Sequence, residues 1–97
     1  MQTIYRIVDE LIDYAQKNLG LDARNEVYAR NAVLNALGIS SYGEKSDAVS
    51  SALTPEDILL RLKNECVSHK IFEESDAAAR LDAVMGALSY SPAEVDV

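Results

Sequence analysis

The chain has 97 residues, enough for one modest hydrophobic core and too few for two independent ones. Hydrophobic residues make up 48% and charged residues 26%, which argues against wholesale disorder. Nine basic against sixteen acidic side chains leave a net charge of −7, a field that repels phosphate backbones and anionic lipid headgroups, so neither nucleic acid nor a membrane surface is an expected partner.

The basic residues are scattered from Arg6 to Arg80, with no run that could follow a phosphate backbone. Cys66 is the only cysteine, which excludes an internal disulfide and a four-cysteine zinc site and fits a reducing, cytoplasmic setting. Asp9, Glu10 and Asp13 break any signal-peptide apolar region, and no apolar run approaches the ~20 residues needed to span a bilayer.

The first helix is predicted from Ile4, Ile7, Val8, Leu11, Ile12, Ala15 and Leu19, whose three-and-four spacing lines one face. Asp9, Glu10, Asp13, Gln16 and Lys17 are expected on the other faces. Gly20 suits the left-handed conformation that stops a helix, because it has no Cβ to clash. Asp22 is a candidate N-cap for a second helix, in which Val27, Leu34 and Leu37 with Tyr28, Asn31 and Val33 give a broader stripe ending at Gly38. So short a loop folds the two helices back on each other, and residues 3–38 read as a helical hairpin.

Residues 39–53 carry five serines and Gly43 without an apolar period, which predicts a mobile connection. Thr54-Pro55-Glu56-Asp57 is a strong helix start: threonine caps, proline tolerates the first helical position, and the acids suit the positive end of the dipole. Ile58, Leu59, Leu62 and Cys66 continue one face of this third helix. A fourth is predicted from about Ser75, with Leu81, Val84, Met85 and Leu88 on its apolar side, and Ser91-Pro92 limits it. A second hairpin therefore occupies about residues 54–90.

Sliding the chain by 51 positions lays Ile7 on Ile58, Val8 on Leu59, Leu11 on Leu62, Ala15 on Cys66, Val33 on Val84, Leu34 on Met85 and Leu37 on Leu88. The core positions recur, which predicts an internal duplication. The expected fold is a single all-α domain of four main helices, built as two hairpins that bury their apolar faces together.

Groups able to carry chemistry are thin. His69, the only histidine, falls near the end of the third helix, where the dipole favours it structurally. Cys66 lies on the apolar stripe of Leu59 and Leu62 and reads as a buried, inert thiol. Asp9, Glu10 and Asp13, like Glu73-Glu74-Ser75-Asp76, lack the alternating oxygen ligands and glycine turn of a hard-cation loop and read as solvated or capping acids. No glycine-rich phosphate loop of the common kinds is present. No catalytic, cofactor-binding or metal-ligating residue is therefore assigned, and no cofactor is expected. Arg30 and Arg80 each follow an alanine in a helix and are expected to tie a hairpin to carboxylates or helix-end carbonyls, with Asp22, Asp76 and Asp82 as candidate partners.

Tyr28-Ala29-Arg30-Asn31 followed by Val33-Leu34 and Leu37-Gly38, then Ala79-Arg80, Met85-Gly86, Leu88 and Ser91-Pro92-Ala93-Glu94-Val95, resembles the N-terminal helical region of the class II bacterial galactose-1-phosphate uridylyltransferases. Val8-Asp9-Glu10-Leu11-Ile12-Asp13-Tyr14-Ala15 is similar to the opening helix of that family, so the likeness covers nearly the whole chain. The resemblance implies part of a cytoplasmic enzyme that exchanges a uridylyl group between UDP-glucose and galactose 1-phosphate through a nucleotidyl-histidine intermediate. The reactive histidine of the family lies in a later His-x-His segment that this sequence does not contain, so no catalytic residue carries over. Leu81-Asp82-Ala83-Val84 and Tyr90 depart from the family pattern and weaken any substrate-contact role of the last helix. Two readings follow: a non-catalytic helical domain partnered by the catalytic module of its parent enzyme, which alone would bind UDP-sugar and hexose 1-phosphate, or a stand-alone acidic helical interaction module.

Overall fold

The computed structural model describes residues 2–39 and 54–88. The predicted connection at 39–53, apart from Ile39, and the stop at Ser91-Pro92 lie outside the described residues. Four helices form in the expected order: α1 (Gln2–Asn18), α2 (Glu26–Leu37), α3 (Pro55–Ser68) and α4 (Ala77–Leu88), with short 3-10 turns at Ala23–Asn25 and Glu74–Asp76 leading into α2 and α4.

Local chemistry sets the ends of these elements. Thr54 is extended and its Oγ1 accepts the Asp57 N–H at 3.2 Å, while Pro55 opens α3 where no amide bond is lost. Gly20 and Gly38 adopt φ of 76° and 90°, the left-handed turns expected of them. After Gly38 the Ile39 N–H returns to the Leu34 carbonyl at 2.9 Å, a Schellman closure. α3 closes the same way with Ile71 N–H on the Cys66 carbonyl at 2.8 Å, but here Lys70 takes the left-handed place at φ 59°, a conformation that costs a non-glycine residue about 1 kcal/mol. Asp22 does cap, although what it caps is the 3-10 turn: its carboxylate accepts the Arg24 N–H at 2.9 Å, and α2 grows from that turn. The Arg24 side chain grips the same carboxylate, and this bond, followed by the backbone N–H, holds Asp22 below the usual carboxylate range.

The duplication extends to the element boundaries. The two 3-10 turns begin at 23 and 74, and α2 and α4 run from 26 to 37 and from 77 to 88, each displaced by the same 51 residues. Each helix packs mainly on its own counterpart, α2 on α4 and α1 on α3, which is the arrangement of two hairpins related by an approximate two-fold axis. The Arg80 guanidinium lies against Gly38, so the start of α4 sits beside the end of α2 and the pair runs antiparallel. Ile7 and Ile58, Leu11 and Leu62, Ala15 and Cys66, Leu21 and Phe72, Val33 and Val84, and Leu37 and Leu88 all enter one core from equivalent places.

The hairpins are not equally closed. Ile4, Val8 and Ile12 of α1 are buried, whereas Leu59 and Lys63, which answer to Val8 and Ile12, are only half-buried. Contact between α1 and α2 is closer than that between α3 and α4.

Candidate functional site

The most deeply buried polar feature among the described residues is a charge pair inside the first hairpin. Arg30 Nε donates to Asp9 Oδ1 at 2.6 Å, with the Arg30 and Asp9 side chains only 7% and 4% exposed. The Tyr5 ring lies 5.9 Å from the guanidinium carbon, within cation–π range. Every buried side-chain nitrogen and oxygen among the described residues has a partner, so the pair is chemically complete. It closes α1 onto α2 and presents no vacancy to a ligand.

Two sequence expectations change here. Asp9 belongs to the interior rather than to a solvated face, because Arg30 compensates the charge that burial would otherwise penalise. Arg30 does tie its hairpin together through a carboxylate, but the carboxylate is Asp9 and not Asp22, Asp76 or Asp82. The other α1 acids are half-buried rather than fully solvated, and each is paired: Glu10 with Arg61 of α3 at 2.8 Å and Asp13 with Lys17 at 3.1 Å. Arg80 is exposed, and its guanidinium lies near Gly38 at the end of α2, in the other hairpin.

His69 is the C-cap of α3, and its Nε2 lies 3.5 Å from Glu65 one turn earlier, again a helix-end position. Cys66 is fully buried, and burial, reinforced by the neighbouring Glu65 carboxylate, pushes its thiol from 9.0 up to about 11. Below pH 9 the thiol is neutral in both folded and unfolded chains. Between about 9 and 11 only the unfolded chain ionises, so stability is expected to fall with rising pH across that window, by about 2 kcal/mol in total. Denaturation curves at pH 8 and pH 10.5 check this against Cys66→Ala, which should lose that part of the pH dependence.

Among the described residues no group of three or more histidine, cysteine, aspartate or glutamate side chains converges as a metal site would require. Glu73, Glu74 and Asp76 instead line an open cavity of 810 Å³ at the α3–α4 turn. Val67, Ile71 and Phe72 contribute apolar lining, and Lys70 and Arg80 line it together with the acids. Charges of both signs are present, and Lys63 from α3 is already engaged with Glu74 at 3.2 Å, so no single ligand charge is selected.

Large apolar side chains stand in solvent at four places: Leu19 is 49% exposed, Val27 60%, Tyr28 60% and Leu60 53%. Leu19, Val27 and Tyr28 belonged to the predicted stripes, and their exposure corrects that expectation. Leu19 lies beyond the last residue of α1, where helical spacing no longer governs direction, and Val27 and Tyr28 stand in the first turn of α2. These three residues cluster in sequence around the α1–α2 turn, at one end of the first hairpin, and form the best candidate for a surface that meets another protein surface. Helical periodicity alone had no way to mark them, because hydropathy is blind to whether a partner helix lies opposite.

No family model matches the chain, and no solved structure matches it significantly. A galactose-1-phosphate uridylyltransferase of Bifidobacterium longum subsp. longum is 28% identical to it over 113 aligned residues, covering 96% of this chain and 22% of that enzyme. The chain thus spans about a fifth of the length of the curated relative it matches. The likeness read from Tyr28–Gly38 and its echo at Ala79–Leu88 is therefore matched by an alignment that runs along nearly the whole chain.

Proposed function

We propose that this chain is a helical, non-catalytic domain of a hexose-1-phosphate uridylyltransferase and that it supports the catalytic module of the same parent enzyme. The alignment across 96% of the chain carries this reading, because it matches the complete pair of hairpins rather than one amphipathic helix. A partial match, 22% of the relative, is what a domain of a longer enzyme produces. In the parent enzyme, UDP-sugar and hexose 1-phosphate bind to the catalytic module, and the helical domain contributes a packing surface in which Leu19, Val27 and Tyr28 take part. The net charge of −7 disfavours a nucleic acid partner, and among the described residues no helix is long and apolar enough to cross a membrane. The setting is the cytoplasm, where the sugar phosphates of such a reaction are found.

Two measurements test the reading together. The reading frame that encodes the chain, followed past the codon for Val97, is expected to enter a segment with a His-x-His motif, and its full product should exchange uridylyl groups between UDP-glucose and galactose 1-phosphate. The isolated 97-residue chain is expected to show no turnover. A stop codon directly after Val97 would favour a stand-alone module instead, and turnover by the isolated chain would place the chemistry inside it.

A further inference from the structure

The cavity at the α3–α4 turn holds charges of both signs, and the duplication gives the two signs different origins. The acids belong to the start of a helix. Glu73 is extended ahead of its 3-10 turn, with φ −84° and ψ 155°, as Asp22 is ahead of the first one, with φ −72° and ψ 134°. Glu74 and Asp76 follow where α4 begins, a place the helix dipole favours for acids. The cations have no such precedent: the positions displaced by 51 from Lys63, Lys70 and Arg80 are Ile12, Leu19 and Ala29, all apolar. Lys63 is engaged by Glu74 at 3.2 Å, whereas among the described residues no carboxylate pairs with Lys70 or Arg80.

Lys70 is also the one non-glycine residue at positive φ among the described residues, at 59°. The end of α1 gives its left-handed place to Gly20, which has no Cβ to clash. The α3–α4 turn would close more favourably with glycine too, and side chains kept at such a cost cluster at binding sites. Lys70 lines the 810 Å³ cavity together with Arg80, Val67, Ile71 and Phe72, and the volume falls in the range of small-molecule sites. We propose that this cavity binds a small organic anion, with its carboxylate or phosphate between Lys70 and Arg80 and its apolar part against Val67, Ile71 and Phe72. Arg80 offers a planar fork that can donate two parallel hydrogen bonds to either group, and Lys70 adds a point charge. Glu74 is already countered by Lys63, which lowers the repulsion that an incoming anion meets. Binding here requires nothing of the uridylyltransferase reading.

The test titrates the isotope-labelled 97-residue chain with phenyl phosphate, phenylacetate, inorganic phosphate and benzyl alcohol, read by the shifts of its amide NMR signals. Phenyl phosphate or phenylacetate is expected to give saturating shifts at residues 67–72 and at Arg80, with half-saturation at about 1 mM, the scale for ligands of this size. Inorganic phosphate lacks the apolar part and benzyl alcohol lacks the charge, so each should bind at least about ten-fold more weakly. Lys70→Gly should weaken binding about ten-fold while raising the melting temperature by a few degrees, a combination that a purely structural lysine would not produce. Arg80→Gln should weaken binding by a similar factor at an unchanged melting temperature. No saturable shift with either organic anion up to about 20 mM would overturn the proposal. So would benzyl alcohol binding as tightly as phenylacetate, parental affinity in both variants, or a Lys70→Gly chain less stable than the parent.

Discussion

Asp9→Ala is expected to destabilise the protein by about 3–5 kcal/mol, because it strands the Arg30 guanidinium in an interior where its side chain is only 7% exposed. A domain of this size has roughly 5–15 kcal/mol of stability in all, so the variant should unfold at markedly lower urea and temperature. Arg30→Leu alone should cost a similar amount by leaving the Asp9 carboxylate buried without its cation. The double replacement Asp9→Leu/Arg30→Leu should instead recover most of the loss and lie within about 1–2 kcal/mol of the parent. Two leucines remove both buried charges together, so neither is left in the interior without its partner. Urea denaturation followed by circular dichroism on the four chains gives a double-mutant cycle. A double variant as damaged as the single ones would show that the pair holds the hairpin together and is not merely self-compensating.

Leu62→Ala is expected to cost about 2–5 kcal/mol, from lost transfer energy and the cavity left behind, while Leu60→Ala should change stability by no more than about 0.5 kcal/mol. The two leucines are two residues apart on α3, yet Leu62 is fully buried opposite its counterpart Leu11 in the core and Leu60 is 53% exposed. Thermal melts of the two variants separate the effects directly. If Leu60→Ala were as costly as Leu62→Ala, the α3 surface would have to be covered in solution by something beyond the described chain.

Much of this fold was legible from residue pattern. Gly20, Gly38 and Thr54-Pro55 fixed where helices begin and end because their preferences are local: a missing Cβ at positive φ, a hydroxyl within reach of a free amide, a ring that already holds a helical φ. The displacement by 51 was readable because each hairpin must bury the same stripe to be stable, and that demand keeps Ile7, Leu11, Val33 and Leu37 in step with Ile58, Leu62, Val84 and Leu88.

Asp9 was misplaced for an equally physical reason. Periodicity assigns a carboxylate to solvent by default, and the compensating Arg30 lies 21 residues away on another helix. Leu19, Val27 and Tyr28 failed in the opposite direction: their hydropathy put them in a stripe, but exposure depends on which helix faces them and at what angle.

By itself, then, the sequence determined the helices, the stops of the first two, the pairing into two hairpins and the likeness to an enzyme family, all of which rest on short-range preferences and the period of an amphipathic helix. Tertiary structure alone decided that Asp9 is interior, that Glu10 meets Arg61, that Arg80 lies near the end of α2, and which leucines face water. Those outcomes depend on the relative placement of whole helices, where a charge becomes affordable only once its partner, distant in the chain, has been brought within a few ångströms.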